Sequence, residues 1–297
     1  MKRAYGGGLS HGAAARHDGA MEDAFIDAVT KALVPLSAVS ALTLGGSRAR
    51  GAAGPNSDYD FGLYYEPDAP VDIDQLVAAL SPIVDRPPGC VLTAIGEWEP
   101  WINGGGWLRI GGKKVDLLYR DLAKVRALVA EGKAGRVTMD YQPGHPHGFC
   151  SAILIGEAAL GVSFIDRAGR LAAIKRDALP YPEPLRRALI AKFHWEIAFA
   201  VDNAELAIDR GDATHVAGNA YRALCCLAQV LFALNRRYLI NEKGALAEAA
   251  SFEITIADLE HAVAQIWLAI GTRELREATR SLHELARALD EAMAKTS

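Results

Sequence analysis

The residues best placed to do chemistry are a pair of aspartates and the glycine turn upstream of them, within Leu42-Thr-Leu-Gly-Gly-Ser-Arg-Ala-Arg-Gly-Ala-Ala-Gly-Pro-Asn-Ser-Asp-Tyr-Asp-Phe-Gly-Leu63. In a strand successive side chains point to opposite faces, so Asp58 and Asp60 project together while Tyr59, Phe61 and Leu63 face a core. Two carboxylates aimed at one spot repel unless a cation offsets them. Paired carboxylates plus phosphate oxygens are the ligands that hard Mg²⁺ takes. Gly45, Gly46 and Ser47 close the preceding strand. Glycines there let the backbone approach a ligand and turn N–H groups toward an anion, and Ser47 adds a hydroxyl. The turn is not a P-loop, because the Gly-Lys-Ser/Thr ending is absent.

The spacing carries more than either piece alone. Gly46-Ser47, ten residues, then Asp58-x-Asp60 resembles the signature of the DNA polymerase β-like nucleotidyltransferases, and Gly46-Ser-x-Ala-Arg-Gly51 resembles the small bacterial members of that superfamily. The resemblance implies a third carboxylate on a later strand of the same sheet. Lys113-Lys-Val-Asp-Leu-Leu-Tyr119 offers it: Val115, Leu117 and Tyr119 alternate onto one face and leave Asp116 on the other. The alternative is a surface aspartate paired with Lys114. By the same resemblance, an acceptor hydroxyl attacks the α-phosphorus of a nucleoside triphosphate and pyrophosphate leaves. Asp58, Asp60 and Asp116 would hold two Mg²⁺ ions, with Mn²⁺ as a substitute, and Asp116 would help deprotonate the acceptor. Gly45, Gly46 and Ser47 would grip the phosphates, helped by Arg50 and Lys243. Arg48 is read as pointing to solvent.

These residues need a sheet to hold them. A helix is expected over Met21 to Leu36, then strands over Val39 to Leu44 and Asp58 to Tyr65, and a helix from Ile73 to Val84. Three more strands are expected at Cys90 to Trp98, Trp107 to Ile110 and Lys113 to Tyr119, the last two joined by Gly111-Gly112. Asp121 then caps a helix to about Ala130. Glycines and prolines from Gly132 to Gly148 read as a long irregular connection, and everything after Pro184 as helix. The fold class is therefore α+β: a small mixed-sheet nucleotidyltransferase domain at 21–145 and an all-α helical bundle at 146–297, after a mobile tail at 1–20.

Several features carry less. His145-Pro-His147 lacks a third nearby ligand and reads as loop structure. Glu157 is either a general base or a solvated helix acid. Trp98, Trp101 and Trp107 surround Asn103-Gly-Gly-Gly106, as an aromatic lid or as sheet-edge packing. Asn219-Ala-Tyr-Arg-Ala-Leu, Leu231-Phe-Ala-Leu-Asn-Arg-Arg-Tyr and Asn241-Glu-Lys-Gly are similar to the helical region that accompanies antibiotic nucleotidyltransferases.

Composition bounds the rest. With 297 residues and 51% hydrophobic content the chain can bury sizeable cores, and the 32 Lys plus Arg against 36 Asp plus Glu give no general attraction to nucleic acid or an anionic membrane. The apolar run Ala223 to Leu234 is too short to span a bilayer and reads as a buried helix. Four cysteines without CxxC spacing point to thiols in a reducing cytoplasm. The function expected is transfer of AMP from ATP to a hydroxyl of a small, aminoglycoside-like acceptor. AMPylation of a protein and a non-catalytic nucleotide-binding regulatory module are the alternatives. Oligomeric state is left open.

Overall fold

The computed structural model describes residues 24–51, 53–54 and 57–295 of the chain. The expected mobile tail at 1–20 lies outside them. The described elements run α1 (24–33), β1 (Ala41–Leu44), the one-turn helix α2 (Gly46–Ala49), β2 (Tyr59–Tyr65), α3 (Ile73–Leu80), β3 (Gly105–Ile110), β4 (Lys113–Asp121) and α4 (Leu122–Lys133). Then come β5 (Met139–Gln142), β6 (His145–Cys150), α5 (Ala152–Leu160), β7 (Val162–Asp166), α6 (Arg170–Ala178), α7 (Glu183–Glu205), α8 (Ala213–Leu234), α9 (Ala245–Ala250), α10 (Leu259–Gly271) and α11 (Leu275–Ala294).

The chain forms two compact units, and their bounds differ from the domains expected. The first is Met1–Leu122 with Gly161–Arg170, and the second is Ala123–Leu160 with Leu171–Ser297. The stretch around 145 is ordered: β5 and β6 pair antiparallel across Pro143-Gly144, with Gln142 opposite His145. The second unit is thus largely helical but carries a two-stranded hairpin. The segment 161–170 returns to the first unit because β7 pairs with β1, a contact between residues more than 100 apart in sequence.

The first unit is a five-stranded mixed sheet in the order β3-β4-β2-β1-β7, with β2 and β4 parallel and the other neighbours antiparallel. Alternation decides its two faces. Leu42, Tyr59, Phe61, Leu63, Val115, Leu117 and Tyr119 are buried in one core with Phe25, Val29 and Leu33 of α1 and Leu76 and Leu80 of α3. Asp72 caps α3, its carboxylate accepting from the Gln75 N–H at 3.1 Å. Both helices therefore cover the face opposite the acids. The expected strand Cys90 to Trp98 is not one. It runs beside β3 through isolated bonds, such as Thr93 N–H to the Gly105 carbonyl at 2.9 Å, without a ladder.

In the second unit α7 and α8 pack along each other. The side chains from Ala223 to Leu234 are buried almost without interruption. α8 is long and apolar enough by composition to cross a membrane, yet most of its apolar stretch is buried within the chain, as a core helix requires.

Candidate active site

β2 and β4 set the geometry of the site. Their parallel register pairs Asp60 with Asp116, so the two side chains leave adjacent strands on one face, at a strand spacing of about 4.8 Å. Asp58 precedes the strand by one residue and keeps the same alternation, with buried Tyr59 between the two acids. Lys114, also on this face, brings its Nζ within 3.9 Å of Asp58 Oδ1, with both side chains largely exposed. The expected alternative paired Lys114 with Asp116; the ion pair found for Lys114 is with Asp58.

The glycine turn is built against the second acid. Gly45 donates its N–H to the Asp60 carbonyl at 2.7 Å, which ties the end of β1 to β2. Gly46 has φ of +60°, and a Cβ there would lie 1.8 Å from Asp60 Oδ2. Only glycine fits both demands, a left-handed backbone and the carboxylate beside it. Ser47 follows in the first turn of α2, half-exposed. Arg50 returns its Nε to the Gly46 carbonyl at 3.3 Å.

Arg48 departs from the solvent-facing expectation. Its guanidinium donates to the carbonyls of Ser57 at 2.8 Å and Asp58 at 3.2 Å and lies 3.7 Å from the Tyr59 ring centroid. A cation over an aromatic face with two carbonyl acceptors is a brace across the loop that leads into β2. Sequence alone could not find it, because the partners are backbone carbonyls.

The edge strand completes the face. Trp107 pairs in register with Asp116 and is 70% exposed, stacked on Trp98 with ring centroids 4.5 Å apart. The Asn103 to Gly106 segment is not a lid. A Cβ on Gly105 would lie 1.8 Å from the Leu117 carbonyl oxygen, and Asn103 is buried, donating to the Tyr65 hydroxyl at 2.7 Å. Its glycines serve close approach, and Trp101 is buried as edge packing. Asp58, Asp116, Lys114, Trp107, Arg109 and Pro88 line a cleft of about 400 Å³. Arg109 and Pro88 went unnoticed in the sequence, since nothing in their spacing ties them to the acids.

Lys243 belongs to the second unit and is exposed there. That unit also holds a half-buried polar cluster around the buried His147. His145 Nδ1 lies 3.3 Å from Glu242 Oε2, and Arg222 pairs with Glu196 while donating to the His147 carbonyl at 2.7 Å. Burial and the nearby Arg222 charge lower the pKa of His147 to about 4. For Glu242 burial acts to raise the pKa, but the His145 hydrogen bond, a backbone hydrogen bond and the nearby histidines together outweigh it and the carboxyl sits below its usual range. Glu157 is half-buried on α5.

Residues 26–132 match the family described as a nucleotidyltransferase domain, and residues 151–243 match one described as a domain of unknown function, DUF4037. No curated protein matches the chain. Among solved structures, a nucleotidyltransferase-like protein from Exiguobacterium sibiricum 255-15 aligns at 12% identity with a TM-score of 0.40, covering 90% of this chain and 74% of that one. The chain therefore carries a nucleotidyltransferase domain, the class of transferase that acts on a nucleotide substrate and generally uses divalent metal, followed by a DUF4037 region.

Proposed function

We propose that this protein transfers a nucleoside monophosphate, AMP from ATP, to a hydroxyl of a small-molecule acceptor such as an aminoglycoside-like compound, releasing pyrophosphate. The observation that carries the reading is the Asp60–Asp116 register, with Asp58 on the same face and the Gly46 turn packed against Asp60. These residues fit a hard divalent cation: three carboxylates share one face, and the absent Gly46 Cβ leaves the Asp60 carboxylate its place. Asp58, Asp60 and Asp116 would hold two Mg²⁺ ions, or Mn²⁺ in their stead, which when bound offset the charge of the triphosphate. Asp116 takes the proton of the acceptor hydroxyl. Gly45, Gly46 and Ser47 hold the terminal phosphates, with Arg50 as a further contact. Four unpaired cysteines support a cytoplasmic location.

The test is pyrophosphate release from ATP and Mg²⁺ across a panel of hydroxyl acceptors, with radiolabelled ATP to follow the adenylyl group. An Asp58→Asn, Asp60→Asn double variant should lose release by at least about 10³-fold, in keeping with the loss of metal and charge stabilisation. Release at the wild-type rate would refute the assignment. Label found on protein instead of small molecule would move the acceptor class and leave the chemistry standing.

A further inference from the structure

Trp107 has no part in the chemistry above, yet it is a large hydrophobic side chain exposed on the acid-bearing face. The residue is 70% solvent-accessible, although burying a large apolar side chain is favourable. It is also held in place. Trp98 stacks beneath it at 4.5 Å and 27°, and the contact of Gly105 with the Leu117 carbonyl fixes the strand that bears it. In register Trp107 is the neighbour of Asp116, and both line the same cleft.

The strand order says which part of the reaction this indole would meet. In-line displacement places the attacking hydroxyl and the departing pyrophosphate on opposite sides of the α-phosphorus. The turn that holds the terminal phosphates follows β1 and packs on Asp60, whereas Asp116 and then Trp107 lie on the other side, along β4 and β3. The acceptor therefore arrives over β4 and β3. We propose that Trp107, backed by Trp98, is the acceptor platform, and that it selects a hydroxylated ring, a pyranose or cyclitol. The apolar C–H face of such a ring lies flat on the indole while an edge hydroxyl points to Asp116. A flexible acyclic polyol has no flat face to offer and loses more freedom on binding. This deepens the transferase reading and rests on its placement of the phosphates at the turn.

The full chain labelled with 5-fluorotryptophan, its Trp107 ¹⁹F resonance assigned from Trp107→Phe, is titrated with methyl pyranosides and cyclitols at millimolar concentration. Sorbitol serves as the acyclic control. A non-hydrolysable ATP analogue with Mg²⁺ is titrated separately. The ring compounds should shift the Trp107 resonance and bind at least tenfold more weakly to Trp107→Ala, with partial rescue in Trp107→Phe and unchanged affinity for the nucleotide analogue. The platform is overturned if no ring compound moves that resonance, if sorbitol binds as well, if Trp107→Ala binds the rings as well as wild type, or if it weakens the nucleotide analogue instead. Failure of the analogue to bind the wild-type chain with Mg²⁺ would strike the transferase reading, a readout separate from ring binding.

Discussion

Among single residues, Gly46 makes the sharpest demand on its position. An alanine there would have to hold a φ of +60°, which costs an L-residue about 1–2 kcal/mol, and would push the Asp60 carboxylate away. Gly46→Ala should therefore lower stability by about 1–3 kcal/mol and remove nearly all pyrophosphate release, measured by thermal unfolding and by turnover. A folded Gly46→Ala with normal turnover would show that the Asp60 carboxylate need not sit where it does. At this scale the sequence was most informative. Asp58 and Asp60 share a face because an extended chain alternates, which is written in residue order, whereas Asp116 joins them through the β2–β4 register, which is not. Arg48 was misread because nothing in its neighbours announces a carbonyl partner nine or ten residues on.

At the scale of elements, the loop between α2 and β2 matters most. Arg48 braces it through two backbone carbonyls and the Tyr59 ring, so Arg48→Met, which keeps the stem over the ring, removes the hydrogen bonds and the charge. The expected outcome is about 1–3 kcal/mol of lost stability and a clear fall in kcat with the fold intact, read by thermal unfolding, circular dichroism and pyrophosphate release. Wild-type turnover in Arg48→Met would detach the brace from the site. Elements with local signals, the β3–β4 hairpin and the long C-terminal helices, could be read ahead of the structure. Two could not. Pro143-Gly144 and the glycines around it read as irregular, although a proline–glycine pair also closes a hairpin, as it does between β5 and β6. β7 pairs with β1 across a large sequence separation, and its Val162 and Phe164 remain partly exposed at the sheet edge, so neither burial pattern nor neighbours mark it. Cys90 to Trp98 has the composition of a strand, but its place beside β3 is taken up by isolated hydrogen bonds and turns.

For the whole molecule, pH is the variable with a definite sign. His147 is buried and its folded pKa lies at about 4, against 6.5 ordinarily. As pH falls from 6.5 toward 4 the unfolded chain takes up a proton that the native chain refuses, so stability declines across that window and is unaffected above it. The total is at most about 3 kcal/mol from this group. Glu242, held below its usual range by its hydrogen bonds and the nearby histidines, adds a loss in the same direction as pH falls below about 4.5. Denaturant unfolding as a function of pH should show this slope in the wild type and a flatter one in His147→Gln between pH 6.5 and 4.5. An unchanged slope would place the titration elsewhere. This cluster draws on β6, α7, α8 and the segment after α8, which is why residues as far apart as His147 and Arg222 gave no sign of it in sequence.

One cation site is proposed to draw on Asp58 just before β2, Asp60 in β2 and Asp116 in β4. Mn²⁺ binding followed by electron paramagnetic resonance, with a non-hydrolysable ATP analogue and Mg²⁺ as competitor, addresses it directly. The wild-type chain should bind Mn²⁺ in a form that Mg²⁺ displaces, and Asp60→Asn and Asp116→Asn should each weaken that binding by at least about tenfold, as removal of one carboxylate ligand requires. Wild-type Mn²⁺ affinity in Asp116→Asn would contradict the shared site and leave Asp116 as a neighbour only.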